Sequence, residues 1–80
     1  MPPPPPDARP VKRSLTLQGH RTSVTLEPLF WDCFAAMAAE EGVSLNALAA
    51  RIDAARDPDV GLAGALRVAI LAWALSRKAG

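Results

Sequence analysis

Arg21, Ser23 and Thr25 recur at every second position of RTSVTL (residues 21–26), and the residues between them turn apolar toward Leu26. Side chains of a strand alternate between its two faces, so these three share one face while Thr22, Val24 and Leu26 share the other. A guanidinium and two hydroxyls in a row make a stripe of hydrogen-bonding groups, suited to recognition. Nothing else in the chain adds a reactive group to it. His20 is the single histidine and has no partner ligand in its own chain, so it reads as structural or solvent-facing. Cys33, the single cysteine, sits near Trp31 and Phe34 and reads as a buried thiol. Glu40 and Glu41 read as a solvated helix end, and Asp53 with Arg56 as a weak surface pair. No acid/base pair, phosphate loop or nucleophile–base pattern is present, which argues against an enzyme and against a metal or other cofactor.

The stripe needs elements to hold it. Eighty residues allow one small domain, and such a domain commonly leans on disulfides, metal or oligomerisation for stability. One cysteine rules out an internal disulfide framework. Half the residues are hydrophobic, which leaves oligomerisation as the expected route to stability. The opening MPPPPP lacks the basic-then-apolar pattern of a secretory signal, so a cytoplasmic protein is expected. Charge is unevenly spread. Residues 1–26 carry Arg9, Lys12, Arg13 and Arg21 against Asp7 alone, a balance of +3, while residues 27–80 carry five basic and seven acidic groups, a balance of −2. Such asymmetry suits a polyanionic partner on the strand side, or equally a solvated basic tail.

Residues 1–11 (MPPPPPDARPV) cannot pack as helix or sheet, because proline removes donors and fixes φ; they read as a polyproline-type tail. PLFWDCFAAMAAEE (28–41) reads as the first helix, with Pro28 at its first turn, Glu27 at its positive end and Gly42 as its stop. Its apolar stripe is Phe30, Phe34, Met37 and Ala38, with Trp31 on the flank. Ser44 caps a second helix, LNALAARIDAAR, which buries Leu45, Leu48, Ala49 and Ile52. Arg56-Asp57-Pro58-Asp59 breaks it. GLAGALRVAILAWALSRK follows as a third helix, with Leu62, Leu66, Ala69, Ile70, Trp73 and Ala74 at core spacing. Val68, Leu71 and Leu75 carry the apolar surface further round the cylinder. The run from Gly61 to Leu75 holds Arg67 and is shorter than the roughly 20 residues a membrane span needs, so burial between subunits is expected and no membrane partner.

One strand ahead of helices has no obvious sheet partner, and a two-fold dimer would supply one. Two copies of residues 21–26 then pair antiparallel over intertwined helices, and a ribbon of that width fits the DNA major groove. At this point the order strand, helix, Gly-x-Ser-x-Asn, helix resembles the ribbon-helix-helix (Arc/MetJ-type) repressors. The residues carrying the resemblance are RTSVTL (21–26), Phe30, Phe34, Met37 and Ala38, and GVSLN (42–46). The wider stretch KRSLTLQGHRTSVTLEPLFWDCF…GVSLNALAARID is similar to a short bacterial subfamily with an extra C-terminal helix.

The resemblance implies a mainly α fold with one short N-terminal β-strand: an intertwined homodimer with an intersubunit two-stranded antiparallel ribbon and an additional third helix. It implies base reading by Arg21, Ser23 and Thr25, with Arg21 able to hold guanine O6 and N7. It implies phosphate contacts from Val43, Ser44, Leu45 and Asn46 at a helix N-terminus, to which Lys12 and Arg13 add backbone contacts from the arm. The expected dimer core is Val24, Leu26, Phe30, Phe34, Met37, Leu48, Ile52, Leu66, Ile70 and Trp73. Residues 1–13 form the arm, 14–56 the ribbon-helix-helix domain and 57–80 the helix extending the oligomer core. The expected function is a sequence-specific DNA-binding transcriptional regulator, a repressor, with double-stranded DNA and a second copy as partners. The alternative is a protein-interaction module or antitoxin-like protein with weak or no specific DNA binding.

One feature of the pattern resists. In a continuous strand over 14–26, Leu15 and Leu17 would join the face of Arg21, Ser23 and Thr25. Gly19 permits a bulge or turn that resets the alternation. RSLTL can alternatively form a second short strand on the ribbon edge or against another dimer, which would partly cover the reading face. The third helix can build a tetramer.

Overall fold

The computed structural model describes residues 7–78; of the tail expected over residues 1–11, residues 1–6 lie outside them and Val11, against that expectation, opens a strand. Two strands precede three helices: β1 (Val11–Leu17), β2 (His20–Leu26), α1 (Pro28–Glu41), α2 (Leu45–Ala55) and α3 (Leu62–Lys78). The strand partner expected from a second subunit is supplied by the chain itself. β1 pairs antiparallel with β2, from Val11 opposite Leu26 to Leu17 opposite His20. β1 begins at Val11, so Lys12 and Arg13 lie in the sheet and not in a free arm.

The connection is the two-residue turn Gln18-Gly19, with φ of 51° and 86°. Both values are left-handed, and such turns match the twist of the strands they join. Glycine adopts this conformation freely, whereas glutamine does so at some cost. The turn also settles the awkward parity. It places Leu15 and Leu17 on the same face as Val24 and Leu26, and all four side chains are buried.

The helices close over that apolar face. Pro28 starts α1, and Gly42, at φ 70°, ends it by donating its amide toward Ala38 and Ala39 carbonyls. Ser44 caps α2: its Oγ accepts the Ala47 amide at 3.0 Å. The chain's own core contains Val24, Leu26, Phe34, Met37, Leu48, Leu66 and Ile70, while Phe30, Ile52 and Trp73 are only partly buried against it. Each fully buried large aliphatic or aromatic side chain contributes on the order of 1.5–3 kcal/mol.

The buried stripe of α1 keeps Phe34, Met37 and Ala38 as expected, but its first member is Trp31 and not Phe30. Trp31 is 2% exposed and Phe30 lies at the margin. The reason is polar as well as apolar: the Trp31 indole N–H donates to the Val11 carbonyl at 2.9 Å, so the ring can be buried without an orphaned donor. Cys33 is half-buried on the same helix rather than fully enclosed.

Candidate nucleic-acid interface

The register sorts the hairpin side chains into two sets. Opposite pairs Lys12–Thr25, Ser14–Ser23 and Thr16–Arg21 share one face, and all six residues are exposed. Pairs Arg13–Val24 and Leu15–Thr22 belong to the other face, against the helices. The expected stripe of Arg21, Ser23 and Thr25 is therefore present, and a second stripe from β1 lies beside it. No acidic residue occurs between Val11 and Leu26, so the face is cationic.

The cations near this face have different duties. Arg9 is engaged by Asp7 at 3.0 Å, which holds the Asp7 carboxyl below the usual range. The Arg13 guanidinium lies 5.1 Å from the Trp31 ring centroid, on the core side of the hairpin. Lys12 and Arg21 remain on the outer face, and every ion pair among the described residues lies elsewhere. Alternation along β1 separates Lys12 from Arg13, a signal legible only once β1 lies in the sheet.

The N-terminus of α2 is tied to the hairpin's edge. Asn46 Oδ1 accepts the Thr16 backbone amide at 3.1 Å, so this helix start stands beside the Thr16–Arg21 end of the face. Of the groups expected to meet phosphate there, three are already engaged. The Val43 amide donates to the Ala38 carbonyl at 3.0 Å, the Ser44 hydroxyl oxygen caps α2, and the Asn46 carbonyl holds β1. What remains for an anion is the backbone at Leu45 and Asn46, whose amides open the helix and have no partner one turn earlier.

A clamp that composition could not reveal fixes the other end. Arg67 of α3 donates through Nε and Nη2 to Glu27 at 3.0 and 3.2 Å, and through Nη2 to the Thr25 carbonyl at 3.2 Å. Its guanidinium also lies 5.8 Å from the Phe30 ring centroid. Hydrogen bonds from Arg67, then from its own backbone amide, hold the Glu27 carboxyl below the ordinary glutamate value. The β2–α1 junction, and with it the Thr25 end of the face, is thereby locked to α3.

Elsewhere the surface offers less. A half-open groove of about 270 Å³ runs under the turn between Leu17, His20, Thr22, Asp53, Arg56 and Leu62. Its charged groups are already paired, Arg56 donating to Asp53 and to the Val60 carbonyl, each at 2.7 Å. Glu40 and Glu41, expected to be simply solvated, pair with Arg77 and Arg51. Among the described residues no group of three or more His, Cys, Asp or Glu could hold a metal ion. No helix among them is long and apolar enough to cross a membrane. On α3, Val68, Leu71 and Leu75 are 69%, 54% and 59% exposed, an apolar stripe that this chain alone leaves uncovered.

No curated protein and no solved structure matches the chain. The family pattern of the ribbon-helix-helix domain does, over residues 10–74, a span that takes in both strands, the first two helices and most of the third. With a cationic antiparallel ribbon laid over helices and a capped helix start at its edge, the chain belongs to the ribbon-helix-helix domain family, whose members are DNA-binding regulators or antitoxins.

Proposed function

We propose that this protein is a sequence-specific DNA-binding transcriptional regulator, most simply a repressor, that enters the major groove with the outer face of its hairpin. The observation carrying this reading is the conjunction at the hairpin: an exposed cationic face without acidic neighbours, flanked by the open N-terminus of α2. Arg21 is the reader of a guanine, and Ser23 and Thr25 contact neighbouring bases. The α2 amides at Leu45 and Asn46 meet phosphates, which supplies affinity and register without sequence information. Two copies, joined through the uncovered stripe of α3, would set two hairpins on a repeated or palindromic operator.

Selection from a randomised duplex pool at near-physiological salt tests this, with wild type and Arg21→Ala in parallel. Enrichment of a defined motif is expected, with a loss of roughly 1–3 kcal/mol for the variant on that motif. Unchanged affinity and preference in the variant would remove Arg21 as a reader.

One observation favours a second reading. The stripe Val68, Leu71 and Leu75 also suits a protein partner other than a second copy, as an interaction module or an antitoxin-like protein would need. That reading expects a folded protein that enriches no motif and captures a partner through α3.

A further inference from the structure

β1 and β2 carry the same pattern. Aligning KRSLTL (12–17) with RTSVTL (21–26) matches Lys12 to Arg21, Ser14 to Ser23, Leu15 to Val24, Thr16 to Thr25 and Leu17 to Leu26. Similar strands need not be symmetric in space; here the register makes them so. Ser14 stands opposite Ser23 at the middle of the outer face, with Lys12 opposite Thr25 on one side and Thr16 opposite Arg21 on the other. A two-fold axis through the Ser14–Ser23 pair, perpendicular to the ribbon, exchanges Lys12 with Arg21 and Thr16 with Thr25. It also exchanges buried Leu15 with Val24 and buried Leu17 with Leu26.

We infer that one chain presents both halves of a nearly two-fold reading surface: Lys12, Ser14 and Thr16 read bases as a second triplet beside Arg21, Ser23 and Thr25. This rests on the DNA-reading function proposed above. It changes what a single hairpin recognises, because each strand brings a cation, a serine and a threonine in the same order to opposite ends of the ribbon. The span from Lys12 to Thr16 along β1 is on the order of 13 Å, which is about four base-pair steps. The two cations of one hairpin thus address a short inverted repeat within one groove passage. Half-sites read by two separate hairpins would instead be separated by about one helical turn.

The symmetry is broken in one respect that matters for reading. Arg21 offers a planar fork with fixed donors, whereas Lys12 offers a mobile point charge. The half of the site under Arg21 should therefore show the sharper guanine preference.

The test is duplex selection with the full chain, comparing wild type, Lys12→Ala, Lys12→Arg and Arg21→Ala. Thermal melts would confirm that each variant remains folded, as expected for exposed positions. Wild type should enrich a short, lopsided inverted repeat. Arg21→Ala should lose its sharper half and Lys12→Ala its weaker half, each weakening binding on the order of tenfold. Lys12→Arg should make the motif more symmetric and bind it more tightly. A motif erased by Arg21→Ala, yet unchanged in Lys12→Ala and Lys12→Arg, would overturn the second triplet and leave the DNA-reading function standing. No motif from folded wild type would overturn both.

Discussion

The outer face of the hairpin and the outer face of α3 are both exposed, and their chemistry is opposite. On the hairpin, Lys12, Ser14, Thr16, Arg21, Ser23 and Thr25 are all groups that water satisfies, so the surface rests comfortably in solvent. On α3, Val68, Leu71 and Leu75 gain nothing from water, so that surface is favoured by being covered. One face is stable in water as it stands; the other is stabilised by a covering neighbour. The difference also separates the terms of binding, since a polar ribbon gives salt-dependent affinity and an apolar stripe gives salt-tolerant association.

A charge is least tolerable on α3. Leu71→Glu places a carboxylate in the middle of the apolar stripe, and an unpaired charge buried at a contact costs several kcal/mol. The folded single chain should hardly notice, since Leu71 is exposed in it and surface changes usually stay within about 0.5 kcal/mol. Sedimentation at micromolar concentration should show the assembly dissociating with the fold intact. A variant that sediments like wild type would mean that α3 is not the contact between copies. On the hairpin face, the Arg21 and Lys12 variants described above should shift DNA preference while leaving both the melt and the sedimentation unchanged.

The Glu27–Arg67 clamp joins the two regions, since it holds the end of β2 to α3. The Glu27 carboxyl is depressed in the folded chain, so the clamp's stabilisation is full above the ordinary glutamate range. It is lost as the pH falls through that range and through the lower folded value. Acid melts of wild type should lose stability there, and Glu27→Gln should flatten that part of the profile. Parallel acid limbs in both proteins would show that the clamp does not contribute.

The smallest effect belongs to the turn. Gln18 is the only non-glycine residue with positive φ among those described, and asparagine tolerates that region better. Gln18→Asn should raise stability by on the order of 0.5–1 kcal/mol in a thermal or urea melt. No gain would indicate that the turn is not strained by its glutamine.

What the sequence determined by itself was local. Helical spacing, Pro28, Gly42 and the Ser44 cap placed three helices within a residue or so of their observed ends, because each depends on neighbours one turn away. Alternation assigned Arg21, Ser23 and Thr25 to one exposed face for the same reason. What tertiary structure decided was pairing. Whether RTSVTL finds its partner in another subunit or in its own chain depends on Gln18-Gly19 reversing direction, and on Leu15 and Leu17 then gaining burial over the helices. The same choice moved Lys12 onto the outer face of the hairpin and Arg13 onto Trp31. It also buried Trp31 rather than Phe30, once the Val11 carbonyl came within reach of the indole. Arg67 meeting Glu27 joins residues far apart in the chain, and no local pattern encodes it. Short-range periodicity is written in side-chain order, but partners are chosen by the burial and hydrogen bonding that become available only after the chain has turned back on itself.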